Sequence, residues 1–226
     1  MKEDSHVSRR DVLAVGAAGV AGLAGCLGDA SGSGDSQQSL SEHPAATDIG
    51  AQPYLGPDPL DAQATIDAFE DPSCSRCRAF EQQVVPKLRS DIDAGTLSLV
   101  SRTYPVVYPW GKPAVQALEA TYDRSEDAFW GLFAHYFDEQ DAFSADNVLE
   151  RTSRWLSSNT DLDADAVVAD AEAETFDAAV QADLTAGDEA GADGVTPSLF
   201  LFRDGQYQTV AQGSVSYDVL ANTLGL

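Results

Sequence analysis

Histidine and cysteine are scarce in this chain, which holds three of each. A structural zinc site takes four Cys or His ligands at workable spacing. The single Cys-x-x-Cys pair, Cys74 and Cys77, has no second pair of cysteines to complete such a site, and the histidines His6, His43 and His135 stand far apart. We therefore expect no bound metal and no cofactor.

Basic residues are also few. Thirteen Lys and Arg stand against 37 Asp and Glu, which gives a formal net charge of −24. Nucleic-acid binding needs a basic face, so the composition argues against that class of partner. Acidity spread along the whole chain fits a protein solvated in concentrated salt, where self-repulsion is screened. We expect a halophilic source of the haloarchaeal kind; an acidic protein from an ordinary organism is the alternative.

Long apolar runs are missing, apart from a short one near the start. Residues 12–27 are apolar but rich in Gly and Ala, and they fall short of the roughly 20 residues that cross a bilayer. Arg9-Arg10 before this run is a twin-arginine export pattern, and Leu23-Ala24-Gly25-Cys26 resembles a lipobox. These features predict a signal peptide over 1–25, lipidation of Cys26 and attachment to the outer face of the cytoplasmic membrane. A short uncleaved anchor is the alternative.

Lipid on Cys26 would leave Cys74 and Cys77 as the cysteines of the mature protein, in a location where a disulfide can persist. Residues 26–62 hold few large apolar side chains. Such a segment cannot bury enough surface to offset the entropy of ordering, so we expect a disordered tether. Residues 63–226 predict one domain large enough for a hydrophobic core.

The reactive chemistry concentrates in the stretch from Phe69 to Phe80. An apolar run up to Phe69 predicts a strand. Asp71-Pro72 ends it, because proline offers no N–H and restricts the residue before it. Ser73 is then placed to cap a helix over about 74–89, in which Pro86 predicts a kink.

This placement favours a reactive cysteine pair. Cys74 lies in the first turn, where unpaired N–H groups and the helix dipole favour a thiolate. Cys77 follows one turn later on the same face, and Arg76 adds positive charge. A structural disulfide is the alternative, but a bridge that closes so small a loop removes little entropy from the unfolded chain. Redox chemistry is the favoured interpretation.

The rest of the chain predicts an α/β domain. Residues 97–100 and 198–202 predict strands, and Asp204-Gly205 predicts a hairpin turn to a strand over 206–211. Helices are predicted over 114–124, 128–140, 144–157 and 164–189, and the aromatic segment 129–137 should pack in the core. Proline directly before a buried strand removes a ladder bond, so we expect a cis Thr196–Pro197 peptide; an ordinary trans bond is the alternative.

The order of strand, Cys-x-x-Cys helix, strand, helical tract, Thr-Pro, hairpin and helix resembles the DsbA-like thiol–disulfide oxidoreductases. The resemblance covers about residues 63–226. It rests on the segment 69–80, on Phe129-Trp130 followed by Leu132-Phe133 and Gln140, and on Gly194-Val195-Thr196-Pro197-Ser198. The fold that it implies is α/β and thioredoxin-like, with an all-helical insertion at about 112–190.

The resemblance also implies roles for residues. Cys74 matches the exposed nucleophilic cysteine and Cys77 the buried resolving one. Thr196 and Pro197 match the cis-proline loop that presents backbone groups to a bound substrate. The active-site dipeptide Ser75-Arg76 differs from the Pro-His of the best-known members.

A second departure concerns proton transfer. Many relatives carry a buried carboxylate six residues before the first cysteine, which moves the proton of the resolving thiol. Ala68 stands at that position here, so Glu70 or Asp71 is the candidate substitute.

The resemblance implies a thiol–disulfide oxidoreductase. Stabilisation of the Cys74 thiolate by the helix dipole and Arg76 favours the reduced protein and makes its disulfide a stronger oxidant, so we expect a dithiol oxidase. It would act on the thiols of exported proteins and be re-oxidised by a membrane or small-molecule partner. A disulfide reductase or isomerase is one alternative. A lipid-anchored metal- or ligand-binding protein on a thioredoxin scaffold is another.

Overall fold

The computed structural model describes residues 38–226. The predicted signal peptide, Cys26 and the first part of the predicted tether lie outside the described residues. Within this range, no helix has the length and apolar character needed to cross a membrane.

A five-stranded mixed sheet forms the centre of the domain, with strand order β1-β3-β2-β4-β5. The strands are β1 (Tyr54–Leu55), β2 (Ala64–Glu70), β3 (Leu97–Thr103), β4 (Ser198–Arg203) and β5 (Gln206–Gln212). β2 and β3 are parallel, and the other neighbours are antiparallel. β2 is buried along its whole length, as a central strand covered on both faces should be.

Helices cover both faces of this sheet. Ile66 and Ala68 of β2 pack in one cluster with Phe80 and Leu88, which belong to α1 (Ser75–Gln83) and α2 (Val85–Asp93). These two helices divide the predicted single helix at Val84, with Pro86 in the first turn of α2, where its missing N–H costs nothing. Phe69 faces the opposite side and packs in another cluster with Phe200.

A helical insertion between β3 and β4 confirms the predicted architecture. Its helices are α3 (Gly111–Tyr122), α4 (Glu126–Asp138), α5 (Val148–Asn159), α6 (Ala164–Glu172) and α7 (Asp177–Ala190). The aromatic segment packs in the insertion core, as predicted, with Phe129, Phe133 and Phe137 buried. The single helix predicted over 164–189 divides into α6 and α7 because Glu174 adopts a left-handed conformation. Phe176, which follows this break, is buried in the same core.

The prediction of a disordered tether does not hold for residues 38–62. This segment forms short 3₁₀ turns at Leu40–Glu42, Pro44–Ala46 and Ile49–Ala51, and β1 then pairs with β3. Leu40 and Ile49 are buried against the sheet, and His43 stacks on Tyr207 at 4.3 Å between ring centroids. The few apolar side chains are enough because the sheet already offers a surface for them.

A buried ion network fastens this segment to the sheet. Arg102 of β3 bonds to Asp67 Oδ1 at 3.0 Å and to Asp183 Oδ1 of α7 at 3.1 Å. Its Nη2 donates to the carbonyl oxygen of Thr47 at 2.6 Å. Gln52 also donates to Asp183, at 3.0 Å. One guanidinium therefore joins the N-terminal segment, the central sheet and the helical insertion.

The C-terminal part follows the prediction. Asp204 and Gly205 both have positive φ, as a tight hairpin turn of the favoured twist requires, and they join β4 to β5. The Thr196–Pro197 peptide is cis, which confirms that prediction. The final helix α8 (Tyr217–Leu224) packs through Leu220 and Leu224 on the α1–α2 side of the sheet.

Candidate active site

The two cysteines lie where the central strand β2 gives way to helix α1. Cys74 is the residue that precedes the helix, and its carbonyl oxygen accepts the first helical bond from Arg78 N at 3.1 Å. Cys77 lies one turn further along. Both thiols are free in the structure. Cys74 is 3% exposed and Cys77 is fully covered, so the expected exposure of Cys74 is wrong and both cysteines are buried.

Ser73 does not cap α1 as predicted. Its hydroxyl donates to Asp71 Oδ1 at 2.6 Å and accepts a bond from Tyr108 N at 3.0 Å. The hydroxyl therefore ties the turn before the helix to the loop after β3. The helix N-terminus keeps its own N–H groups for the Cys74 sulfur.

Those N–H groups contribute to a strong asymmetry between the thiols. The hydrogen bond from Cys77 is the largest cause that lowers the pKa of Cys74 from 9.0 to about 4. Burial opposes this shift, while the Thr196 side chain and the backbone N–H groups of Cys77 and Arg76 support it. Burial raises the pKa of Cys77, and the bond to Cys74 and the charge of Glu70 raise it further. Cys74 is thus the thiolate and Cys77 the protonated thiol at neutral pH.

Arg76 contributes to this asymmetry differently from the prediction. Its backbone N–H helps lower the pKa of Cys74. Its guanidinium lies beside Gly213, so close that a Cβ there would stand 3.3 Å from Nη1. The side chain borders the site rather than pairing with the sulfur, and Ser75, the other residue of the dipeptide, is exposed.

The structure brings the cis-proline loop to the thiols. The Cys74 sulfur lies 3.4 Å from the carbonyl oxygen of Thr196, and Gly213 N donates to the carbonyl oxygen of Pro197 at 2.8 Å. Tyr104 fixes the segment that precedes this loop, because its hydroxyl donates to Asp188 and accepts a bond from Gly194 N. Nothing in the sequence pattern pointed to this role of Tyr104.

The two candidate carboxylates have separate surroundings. Asp71 is buried and accepts bonds from Ser73 N at 2.7 Å, Val106 N at 2.8 Å and Val107 N at 2.7 Å. It therefore shapes the loop after β3. Glu70 is also buried, and burial raises its pKa well above the ordinary value, with the nearby side chains of Glu81 and Cys77 also acting on it. Glu70, not Asp71, is the carboxyl group at the resolving thiol.

A groove of about 500 Å³ opens beside Cys74. Its walls come from the start of α1, from the loop after β3 and from the insertion, and include Ser75, Arg78, Tyr108, Trp110 and Phe143. Val106, Val107 and Tyr108 are among the large apolar residues that remain exposed, at 40%, 39% and 59%. Val106, Val107 and Tyr108 therefore form an exposed apolar rim at this groove, which Tyr108 lines.

A parallel strand followed by a helix with two cysteines at its start, facing a cis-proline loop, defines a thioredoxin-fold protein with a dithiol site. A family model described as thioredoxin matches residues 51–214, well over half of the chain. The chain belongs to this thioredoxin family.

Comparisons with individual proteins agree with this assignment. The chain is 30% identical over 93 residues to "Disulfide bond formation protein D" of Bacillus subtilis, which is 41% of this chain and 41% of that protein. The aligned part thus spans about two fifths of the curated relative. BdbD from Bacillus subtilis superimposes with a TM-score of 0.67 at 24% identity, covering 76% of this chain and 90% of that structure. Wolbachia pipientis α-DsbA1 gives 0.62 at 18% identity, over 76% and 87%. These two structures share the fold of this chain.

Proposed function

We propose that the protein is a thiol–disulfide oxidoreductase that works as a dithiol oxidase. The observation that carries the proposal is the opposite shift of the two sulfurs, with the pKa of Cys74 lowered to about 4 and that of Cys77 raised. A thiolate held so strongly stabilises the reduced protein, and the oxidised disulfide is then the stronger oxidant. The Bacillus subtilis relative is named a disulfide bond formation protein, which agrees with this direction.

The reaction proceeds by two exchanges. A substrate thiolate attacks Cys74 of the oxidised protein, forming a mixed disulfide and releasing Cys77 as a thiolate that takes up a proton. A second substrate thiolate attacks the substrate sulfur of that mixed disulfide, and Cys74 leaves. The substrate has lost two electrons, the cysteine pair has gained them, and a membrane or small-molecule partner must re-oxidise the pair.

The surface beside Cys74 favours unfolded polypeptides as substrates. Val106, Val107 and Tyr108 form an exposed apolar rim that an unfolded chain with apolar residues around its cysteine can contact. The rim is fixed by the hydrogen bonds that the backbone N–H groups of Val106 and Val107 donate to Asp71. We propose protein thiols as the substrate class, and exported proteins as their source because the signal pattern at Arg9-Arg10 supports export of this chain to the same location.

The test uses reduced, unfolded polypeptide and non-reducing electrophoresis. With Cys77→Ser, the attacking sulfur remains but no thiol resolves the adduct, so polypeptide should stay covalently bound at Cys74. With Cys74→Ser, no adduct should form, because Cys77 is fully covered. Trapping by the second variant alone would reverse the roles. No trapping by either, with a pair that resists reduction, would make the disulfide structural and contradict the oxidoreductase proposal.

Location is a separate proposal that rests on the sequence alone. Arg9-Arg10 and the run that ends at Cys26 support export and a lipid anchor on the outer face of the cytoplasmic membrane. Native protein should fractionate with membranes and begin at a lipid-bearing Cys26, and Cys26→Ser should release it or block processing. Intact-mass analysis that finds an unmodified Cys26 would contradict the anchor and leave the redox proposal standing.

A further inference from the structure

Several loops meet at the sheet edge where β2 ends in the cysteine turn. β3 runs parallel to β2 and β4 runs antiparallel to it, so the loop after β3 and the residues before β4 lie at this edge. β5 is antiparallel to β4, so the end of β5 lies there too. Because the strand order is β3-β2-β4-β5, the loop after β3 lies on one side of the cysteine turn, and Pro197 and Gly213 lie on the other.

The two sides of the cysteine turn differ in chemistry. The side next to β3 carries the apolar rim, and Tyr108 N joins it to the turn through its bond to Ser73 Oγ at 3.0 Å. The other side carries a positive charge, because the Arg76 guanidinium lies against Gly213, where a Cβ would stand 3.3 Å from Nη1. Gly213 N in turn donates to the carbonyl oxygen of Pro197 at 2.8 Å. Arg76 therefore stands where the end of β5 meets the cis-proline loop.

The charge of Arg76 is not paired within the part of the chain that the structure describes. Its neighbour on α1, Arg78, forms a salt bridge with Asp141 at 3.0 Å, and both Arg102 and Lys112 also lie in ion pairs. Arg76 is exposed and forms no salt bridge or side-chain hydrogen bond with a described residue. With 37 Asp and Glu against 13 Lys and Arg in the sequence, carboxylates are abundant. An unpaired guanidinium between the two cysteines therefore points to a partner outside the chain.

The spacing of the sheet sets how far such a partner lies from the substrate cysteine. Neighbouring strands are about 4.8 Å apart, so Gly213, which follows the second strand from β2, lies roughly 10 Å to the side of that strand. An extended polypeptide advances about 3.3 Å per residue. A substrate that is joined to Cys74 and extends past the cis-proline loop can therefore bring a side chain two or three residues from its cysteine to the Arg76 guanidinium.

We propose that Arg76 selects protein thiols with an Asp or Glu two or three residues from the reacting cysteine. The inference rests on the proposed function and names the class of polypeptide that this site prefers. The substrate carboxylate pairs with the guanidinium on the side of the cis-proline loop, and apolar side chains on the other side of the substrate cysteine contact the rim. Arg76 takes no part in the exchange of sulfur bonds, so it is a specificity-determining residue.

The test measures how fast single-cysteine peptides reduce the oxidised protein. The peptides differ only in the residue three positions from the cysteine, which is Asp or Asn, and both chain directions are made. The Asp-to-Asn ratio of rates should be about threefold higher in the unmodified protein than in Arg76→Gln, as an exposed ion pair typically supplies, and Arg76→Lys should keep part of it. A general change in the reactivity of Cys74 cancels in this ratio. Lys87→Gln, which changes an exposed cation of α2, should leave the ratio unchanged. The same ratio in Arg76→Gln as in the unmodified protein would overturn the proposal.

A second measurement does not depend on turnover. The Cys77→Ser protein is treated with methanethiosulfonate reagents of negative or positive charge, at the lowest salt at which it stays folded, and the adduct at Cys74 is quantified by mass spectrometry. Adding Arg76→Gln should lower the ratio of the anionic to the cationic rate at least about twofold, because a nearby positive charge no longer attracts the anion. An unchanged ratio would overturn the placement of this charge at Cys74, whether or not the protein oxidises peptides. A lowered ratio in a protein that no peptide reduces would contradict the proposed function alone.

Discussion

The side-chain amide of Gln140 donates a hydrogen bond to the carbonyl oxygen of Cys74 at 3.1 Å, and the same nitrogen donates to the carbonyl oxygen of Pro72 at 2.7 Å. Gln140 begins a 3₁₀ turn of the helical insertion, Gln140–Ala142. The insertion therefore reaches the active site through one buried amide that holds both ends of the turn before α1.

Gln140→Ala should loosen this turn. Two buried carbonyl oxygens lose their side-chain donor, which should lower the free energy of unfolding by about 1–3 kcal/mol. The position of the Cys74 sulfur should also become less fixed, and its alkylation at neutral pH should change. Urea unfolding and iodoacetamide kinetics measure the two effects. Gln83→Ala, which changes an exposed glutamine of α1, is the control. Equal unfolding free energies and equal alkylation rates in the two variants would contradict a role of Gln140 in holding the turn before α1.

Outside the active site, substitutions in the buried network around Arg102 should lower the free energy of unfolding the most. Asp183→Ala removes the bonds to Arg102, Thr103 and Gln52 and leaves a buried charge poorly compensated, which typically costs about 3–5 kcal/mol. We expect the loss in denaturant unfolding and in earlier proteolysis of the segment before β2. Glu189→Ala, at an exposed position of the same helix, should show neither effect. A loss below about 1 kcal/mol would contradict this account of the network.

The reduced and oxidised proteins should differ in their response to pH. Because the pKa of Cys74 is lowered from 9.0 to about 4, the unfolded chain binds a proton at this sulfur over a range where the folded chain does not. The stabilisation is complete above the ordinary pKa and is lost as the pH falls through about 4. The oxidised protein has no such thiol. The melting temperatures of the reduced and oxidised proteins, measured between pH 4 and pH 8, should therefore approach each other as the pH falls. A difference that stays constant over this range would contradict the assignment of Cys74 as the thiolate.

Salt should stabilise the domain. The formal charge of −24 means that like charges repel one another in the folded state. This repulsion is less screened at low salt, because the Debye length grows from about 3 Å at 1 M to about 10 Å at 0.1 M ionic strength. We expect the melting temperature to fall steadily as sodium chloride is lowered over this range. Sucrose at matched water activity is the control for non-ionic effects. An unchanged melting temperature would contradict the halophilic interpretation.

The sequence predicted the elements that carry strong local signals. The Asp71-Pro72 break, the Asp204-Gly205 turn and the apolar runs on either side placed the strands and helix α1 close to where they lie. Pro86 marked the division of α1 from α2. These features depend on backbone restrictions that act within a few residues, which is why they could be recognised without the fold.

Features that depend on distant partners were missed. Leu40 and Ile49 lack helical or strand periodicity, and only the sheet surface explains why they are ordered. Tyr104 reaches the cis-proline loop across 90 positions of sequence. The sequence left Glu70 and Asp71 as candidates for the carboxyl group near Cys77, and only the fold shows that Asp71 is engaged by the backbone N–H groups of Val106 and Val107 instead.

The reduction potential of the Cys74–Cys77 pair tests the central claim most directly. Equilibration of the protein with dithiol buffers, followed by quantification of the free thiols, gives the value. Because the Cys74 thiolate is strongly stabilised, the account predicts a potential above about −180 mV, the oxidising side of protein disulfide isomerase. A potential at or below about −270 mV, that of thioredoxin, would contradict the oxidase account and favour a reductase.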